Sequence, residues 1–419
     1  MRKNIKRIIT VVIVAFVIFT TVPIASASSY AFNYSTNSSF ITDTIGNKFA
    51  LPYSPFVKGN VFYVPLRATV ESAGGVVTYN KKDRSILLKY GNRVGKLTLG
   101  KSVGTVNNVP FAFARELFVI KGRTAVNVYF IALLFNGKVK LRRDICTITF
   151  YPIFAQKDAL NNNVVLYREP KRIVSLAPNL TEILYAIGAS NKIVGVSNYS
   201  DYPEDVKNKP KVGGFFTPSI EKIFALSPDI VLIARGTPLT VINKFKELGL
   251  RVYTSDPHTI NDIYNLISTV GRITGNIKES SMLVKKLRLT EKSIIEKVKN
   301  ISHKKKVYVE IWNKPKMSVG KDTFINSLIS EAGGINITEN LKGNWPIVND
   351  EYIIKENPDV IILLYPCSKK EIEKRPGWNT INAVKNGNIF IENPDIFERP
   401  GPRIIEGLVT MYNILYGKQ

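Results

Sequence analysis

The sequence predicts an α/β fold in which two Rossmann-like lobes, each a parallel wound sheet, are joined by one long helix and preceded by a small duplicated β-rich unit. Three observations carry this. From Lys171 onward, short apolar runs alternate with helix starts. The stretch Ile277 to Ile301 lacks Gly and Pro and keeps Leu283, Leu287, Ile294, Val298 and Ile301 on one stripe. Two internal repeats recur, at offsets of 62 and 130 residues.

The chain begins with Arg2, Lys3, Lys6 and Arg7 ahead of an apolar run from Ile8 to Ile24, closed by Ala25-Ser26-Ala27. That order reads as an export signal over 1–27 that a peptidase removes, and left uncleaved its ~17 apolar residues would just span a bilayer. An exported chain does not meet cytoplasmic nucleic acid. The 58 Lys+Arg against 33 Asp+Glu, a formal +25, therefore point to another anion, a wall polymer or a membrane surface. The charge is uneven: 17 basic and 5 acidic residues lie between 29 and 152, and 10 basic against 3 acidic between 278 and 306. The lobes themselves are close to balanced. With only two Cys and two His, no thiolate cluster, disulfide framework or multi-histidine metal site can form.

The unit at 48–151 is a repeat. Val64-Pro65-Leu66-Arg67 through Gly74-Gly75-Val76 returns as Val126-Asn127-Val128-Tyr129 through Asn136-Gly137-Lys138-Val139, and each copy ends in a polar turn and an alternating strand. Each half is then a few strands around one short helix. Cys146 sits in the last strand as a small apolar filler. Residues 152–170 read as a linker.

Lobe 1 is expected over 171–275, with strands at Arg172 to Leu176, Ile193 to Val196, Ile230 to Ile233 and Arg251 to Thr254. Helices start at Pro178-Asn179 and at Ser219. The connecting helix occupies 276–305 and would extend ~37 Å, long enough to act as a strut. Lobe 2 fills 306–419, with strands near Val307, Val360 and Ile389 and a last helix from about Arg403. Ser219-Ile220-Glu221 through Ser227-Pro228-Asp229 matches Asn349-Asp350-Glu351 through Asn357-Pro358-Asp359, so the lobes are related by a pseudo-two-fold that makes Glu221 and Glu351 equivalent. A lone Glu there offsets a helix dipole, worth ~0.3–1 kcal/mol; a symmetric pair points to docking on a two-fold partner.

Sites on wound sheets lie past the carboxyl ends of the strands, where Tyr199, Arg235, Trp312 and Asp395 fall. Tyr199, Phe215, Phe216, Trp312, Trp345 and Phe397 offer flat aromatic walls from both lobes, as a large apolar disc would require. Asp395 reads equally as a turn cap, and Arg399 and Arg403 as partners of Glu398 or Glu406. His258, in a polar turn, reads as surface. No nucleophile, base and orienting group occur together at motif spacing, so no enzyme is expected.

Two resemblances sharpen this reading. Tyr63-Val64-Pro65-Leu66-Arg67, Gly74-Gly75 and Thr98-Leu99-Gly100-Lys101-Ser102 resemble the copper amine oxidase N-terminal-like domain, a stalk module of Gram-positive secreted proteins. This resemblance implies spacing or wall association, and the histidines of copper chemistry are absent. Lys171 to Glu182, Val194 to Pro203, Ser318 to Thr323, Asn344-Trp345-Pro346 and Pro394 to Arg399 resemble the helical-backbone (class III) substrate-binding proteins of ABC importers, in particular the cobalamin-binding branch.

That family implies a cleft lined at Tyr199, Phe215, Trp312, Trp345 and Asp395. It also implies docking of Glu221 and Glu351 on arginines of a dimeric permease, a monomeric binding protein outside the membrane, a small hinge motion, and no cofactor beyond the transported ligand. Where the family often has Trp, this chain has Ala234-Arg235-Gly236, which fits an anionic chelate as well as a corrinoid. Ferric-siderophore or haem binding on the same scaffold, and a wall-associated structural role, remain open.

Overall fold

A computed structural model describes residues 30–44, 48–90, 93–113, 117–150, 153–166 and 169–417; the signal expected at 1–27 lies outside them. Among the described residues no helix is long and apolar enough to cross a membrane.

The N-terminal repeat is real, and its two halves join through equivalent strands. Val61–Pro65 pairs antiparallel with Arg123–Asn127, setting Val64 opposite Val126. Each strand runs into a short helix, Leu66–Ser72 or Val128–Phe135, followed by an antiparallel hairpin, 76–90 or 138–150. The unit starts earlier than 48, however. Tyr30–Ser35 and Phe40–Asp43 extend the second hairpin's sheet and bury Phe32, Tyr34 and Ile41. That pairing joins residues more than 100 positions apart, so no local pattern reveals it. Cys146 faces this core, and burial pushes its thiol up to about 12.

Residues 152–170 were expected as a linker, and this is corrected: they carry a hairpin of lobe 1. Phe154–Lys157 pairs with Asn163–Leu166, and Phe154, Val164 and Leu166 enter the lobe core. The Asp158 carboxylate accepts from the amides of Leu160 and Asn162, both at 2.9 Å, and from the Thr254 amide at 3.3 Å.

Lobe 1 contains β1 (Ile173–Ser175), β2 (Ile193–Val196), β3 (Ile230–Ala234) and β4 (Val252–Ser255), all parallel in the order β2-β1-β3-β4. Lobe 2 contains β5 (Lys306–Glu310), β6 (Ile335–Asn336), β7 (Val360–Leu363) and β8 (Ile389–Ile391) in the identical order β6-β5-β7-β8. The Pro-Asp turns match too. Asp229 accepts from the Lys171 amide at 2.8 Å, and Asp359 from the Lys306 amide at 2.9 Å, each tying the start of the third strand to the start of the first.

The connecting helix, Ile277–Val298, buries Leu287 and Ile294 in a core fed by both lobes and by the last helix, Ile404–Tyr416. At this junction Glu331 lies against Glu291 of the connecting helix, with its Oε2 buried and without a hydrogen-bond partner. Burial first, and Glu291 second, push the Glu331 carboxyl up to about 8. A carboxyl raised in the folded state contributes its full stability below its ordinary value and loses it as pH rises through the folded one. We predict that Glu331→Gln raises the melting temperature at pH 8.5 by about 3 °C or more and changes little at pH 4.5. Thermal denaturation across that range tests it, and equal shifts at both ends would refute the assignment.

Candidate functional site: the interlobe cleft

The carboxyl ends of both sheets face a cleft between the lobes. On the lobe 1 side, Tyr199 follows β2 and its ring lies 3.5 Å from where a Cβ on Gly214 would stand. Phe215 and Phe216 meet edge to face, their centroids 4.9 Å apart. The Phe215 ring covers Gly236, whose φ of +106° favours glycine and where an added Cβ would stand 3.2 Å from the ring. On the lobe 2 side, Trp312 follows β5 and its indole donates to the Lys314 carbonyl at 3.1 Å. The Trp345 turn is stitched to residues 318–320 by Ser318 N to Pro346 O at 2.9 Å and Gly320 N to Asn344 O at 2.8 Å. A Cβ on Gly320 would stand 2.1 Å from the Gly343 carbonyl, so this close approach requires glycine.

These rings are open to solvent. Tyr199 is 61% exposed, Phe216 65%, Trp312 57% and Trp345 43%. Phe397 differs. It is fully enclosed in the core shared by the lobes, because the short helix Asp395–Glu398 turns it inward; its expected place in the cleft is corrected.

The cleft floor is an ion network that crosses between lobes. Arg403 grips Glu182 through Nε at 2.9 Å and Nη2 at 2.7 Å, and Arg399 reaches Glu182 at 3.2 Å and Asp201 at 2.7 Å. Asp395 pairs with Arg399 at 2.8 Å and Arg403 at 3.7 Å. Glu182 is buried, so its charge is sustained by these guanidiniums. The hydrogen bond from Arg399 holds the Asp201 carboxyl below the usual carboxylate range. Burial, aided by Asp395, pushes Glu398 up to about 7, and neither arginine is paired with it. The expected partners of Arg399 and Arg403 are therefore corrected to Glu182 and Asp201. A sequence signal existed: Glu182 sits among Leu180, Ile183 and Leu184 in an apolar helix and needs a cation, and Arg399 and Arg403 share a spacing of four.

A cavity of about 200 Å³ opens beside this network, lined by Asn179, Arg235, Asp256, His258, Asp322 and Trp345 among others. Arg235 pairs with Asp256 at 3.3 Å. His258 is not an idle surface residue: it reaches Asp256 of its own lobe at 3.1 Å and the Asp322 carbonyl of lobe 2 at 2.9 Å. Nothing in its local sequence announces that bridge.

Glu221 and Glu351 are both exposed in the first turns of Ile220–Ala225 and Asp350–Glu356, the helices that lead into β3 and β7. Ser219 caps the first by accepting from Lys222 N at 3.4 Å, and Asn349 the second by accepting from Tyr352 N at 2.9 Å. They are topologically equivalent, as the repeat predicted.

Residues 173–395 match the model for periplasmic binding proteins, and residues 44–150 that for the copper amine oxidase N-terminal domain. The chain is 35% identical over 288 residues to the ABC transporter substrate-binding lipoprotein YvrC of Bacillus subtilis, covering 67% of this chain and 89% of that protein. It is 27% identical over 267 residues to a vitamin B12-binding protein of Vibrio parahaemolyticus, covering 62% and 94%. Among solved structures, a "possible" iron-binding (periplasmic solute-binding) protein of Staphylococcus epidermidis is similar at 34% identity and TM-score 0.54, over 59% of this chain and all of that one. The vitamin B12-binding protein BtuF of Vibrio cholerae is similar at 26% and 0.53, over 58% and 96%.

Proposed function

The chain belongs to the periplasmic binding protein family, the substrate-binding proteins of ABC importers, and we propose that it captures cobalamin or a related corrinoid between its lobes and delivers it to a permease without chemical change. One observation carries the ligand reading: exposed aromatic rings stand on both lobes over a floor whose three arginines are all met by carboxylates. Arg235 is met by Asp256, and Arg399 and Arg403 by Glu182, Asp201 and Asp395. Such a floor leaves little free positive charge for an anionic chelate, whereas flat apolar walls suit a corrin disc with neutral amide arms. Isothermal titration with cyanocobalamin tests this. A titration that gives no heat, together with no thermal shift, would sink it.

Haem or a ferric chelate is the second reading. It is favoured by the likeness to the Staphylococcus epidermidis protein and by the Arg235 side chain, which stays 59% exposed while paired. Binding of the iron chelate that disappears in Arg235→Ala would select it.

Glu221 and Glu351, one on each lobe, would meet cations of a two-fold permease and orient the complex more than tighten it. Changing both to Ala should lower uptake at least about tenfold and leave ligand affinity within about twofold. Transport assays beside calorimetry separate the two effects, and an unchanged uptake rate would remove this role. The basic N-terminal module would hold the protein against an anionic wall or membrane surface, a reading supported by its excess of Lys and Arg, and high salt should then release it. Retention on wall fragments by a chain that binds no small molecule would favour a structural role instead.

A further inference from the structure

We propose that the N-terminal module holds a second binding site, a cavity where its two halves meet, which takes the apolar body of a small amphipathic anion and receives the acid group at Arg123. The site lies outside the cleft and does not depend on what the lobes capture.

A cavity of about 620 Å³ opens beside the helix Leu66–Ser72, a volume within the range of small-ligand pockets. Its walls are apolar, Leu51, Val77, Ile86 and Leu99 among them, and Arg67, Glu71 and Arg123 line it too. Three of the strands that border it, Lys48–Ala50, Val76–Asn80 and Phe118–Ile120, are each outermost in their sheet. The space is therefore a gap between sheet edges and not a fault inside one core.

The symmetry of the module shows what fills such a gap. Residues 62 apart occupy equivalent places: Val64 lies opposite Val126, and Ala50 and Ala112 end equivalent strands. In the second half Phe111, Phe113 and Phe130 interlock, their ring centroids 5.1, 5.5 and 5.6 Å apart, and Phe130 is fully buried. The counterparts are Phe49, Leu51 and Ala68. A helix position that carries a phenyl ring in one half thus carries a methyl group in the other.

The difference is more than lost volume. Tyr129 and Leu133 of the second half correspond to Arg67 and Glu71, and Val61 and Phe62 of the first correspond to Arg123 and Thr124. At each of these places the filled copy is aromatic or aliphatic and the open copy is polar. Loosened packing alone would bring in no guanidiniums, whereas an apolar pocket with a few polar groups at its mouth is the form of a ligand site.

Charge selects the ligand. Arg67 is already satisfied, donating to Glu71 at 2.9 Å and to the Val77 carbonyl at 2.9 Å. Arg123 is exposed, and among the described residues no carboxylate pairs with it. One positive charge is left beside apolar walls, which an acid on an apolar body answers and a cation does not. The 17 basic against 5 acidic residues between 29 and 152 favour the same sign of ligand.

Calorimetric titration of the full chain with decanoate, kept below its micelle concentration, tests the site. Decanoate should bind at least about tenfold tighter than hexanoate, because it buries four more methylenes. It should bind about threefold tighter than decanol, which lacks the acid. Ala68→Phe restores the ring seen at Phe130 and should abolish decanoate binding without lowering the melting temperature. Arg123→Gln, at an exposed position where folding is not at stake, should bring decanoate down to the affinity of decanol and leave decanol unchanged. No binding to the native chain, binding that survives in folded Ala68→Phe, or equal affinities of the native chain for decanoate and decanol would overturn the proposal. So would loss of decanoate binding in Trp312→Ala, which would move the ligand to the cleft. Cyanocobalamin binding should be the same in Ala68→Phe as in the native chain, so either site can fail alone. Vesicles of phosphatidylglycerol and phosphatidylcholine separate a free amphiphile from a membrane lipid. In about 0.5 M salt, where charge contacts are screened, we expect the native chain and Ala68→Phe both to leave the vesicles, as a free amphiphile requires. Retention that Ala68→Phe abolishes would make the ligand a lipid of the membrane itself.

Discussion

Arg403→Ala should lower the melting temperature of the lobes by about 6–12 °C, the equivalent of about 3 kcal/mol. The magnitude follows from what is left behind. Glu182 is buried on the lobe 1 helix Pro178–Ala186, and Arg403 supplies two of its three guanidinium hydrogen bonds. Without Arg403 the carboxylate keeps only Arg399, which is shared with Asp201 and Asp395. Breaking one side of a buried pair costs far more than the pair contributes, because an uncompensated charge remains. The paired change Glu182→Gln with Arg403→Met should therefore cost less than Arg403→Ala alone. Thermal denaturation of the three proteins decides this, and a melting temperature unaffected by Arg403→Ala would show that the network does not hold the lobes.

Trp312→Ala and Trp345→Ala should each weaken cobalamin binding by about 10–100-fold while leaving stability within about 0.5 kcal/mol. Both rings are half exposed, so little of the core depends on them, and a corrin face would cover what water now touches. Phe397→Ala should do the reverse, destabilising by about 3–5 kcal/mol through the cavity it leaves. Calorimetry with cyanocobalamin and denaturation of the same three proteins separate the roles. Full affinity in both tryptophan variants would move the ligand elsewhere.

The elements that were legible in the sequence are those whose cause is local. β3 and β7 lie within buried sheets, so each is one continuous apolar run, and the 130-residue repeat predicted equivalent halves before any topology was known. The strands at Val64 and Val126 were legible for the same reason, as copies of one pattern. Illegible were contacts made at a distance. Tyr30–Ser35 pairs with Ile145–Phe150, Phe154 joins a core whose other members begin at Val164, and Arg403 finds Glu182 at a separation of 221 residues. In the cleft, residue type marked the aromatic walls. It could not say which way Phe397 turns on a helix of one turn, nor that His258 would meet a carbonyl from the other lobe.

The core around Ile277–Val298 has a mechanical consequence. Ile183, Leu232, Ile267, Leu287, Ile294, Val309, Leu328 and Leu408 belong to one packed cluster drawn from both lobes, so the hinge has no seam along which it can part. A joint of that kind is stiff: bending it far would tear apolar contacts on both sides at once. An occupied protein then differs from an empty one mainly in what its rim presents, not in its outline. On the docking proposed above, a permease that distinguishes the two would read the texture and charge of the cleft mouth, and Glu221 and Glu351 would act as fixed rails that bring that mouth into register.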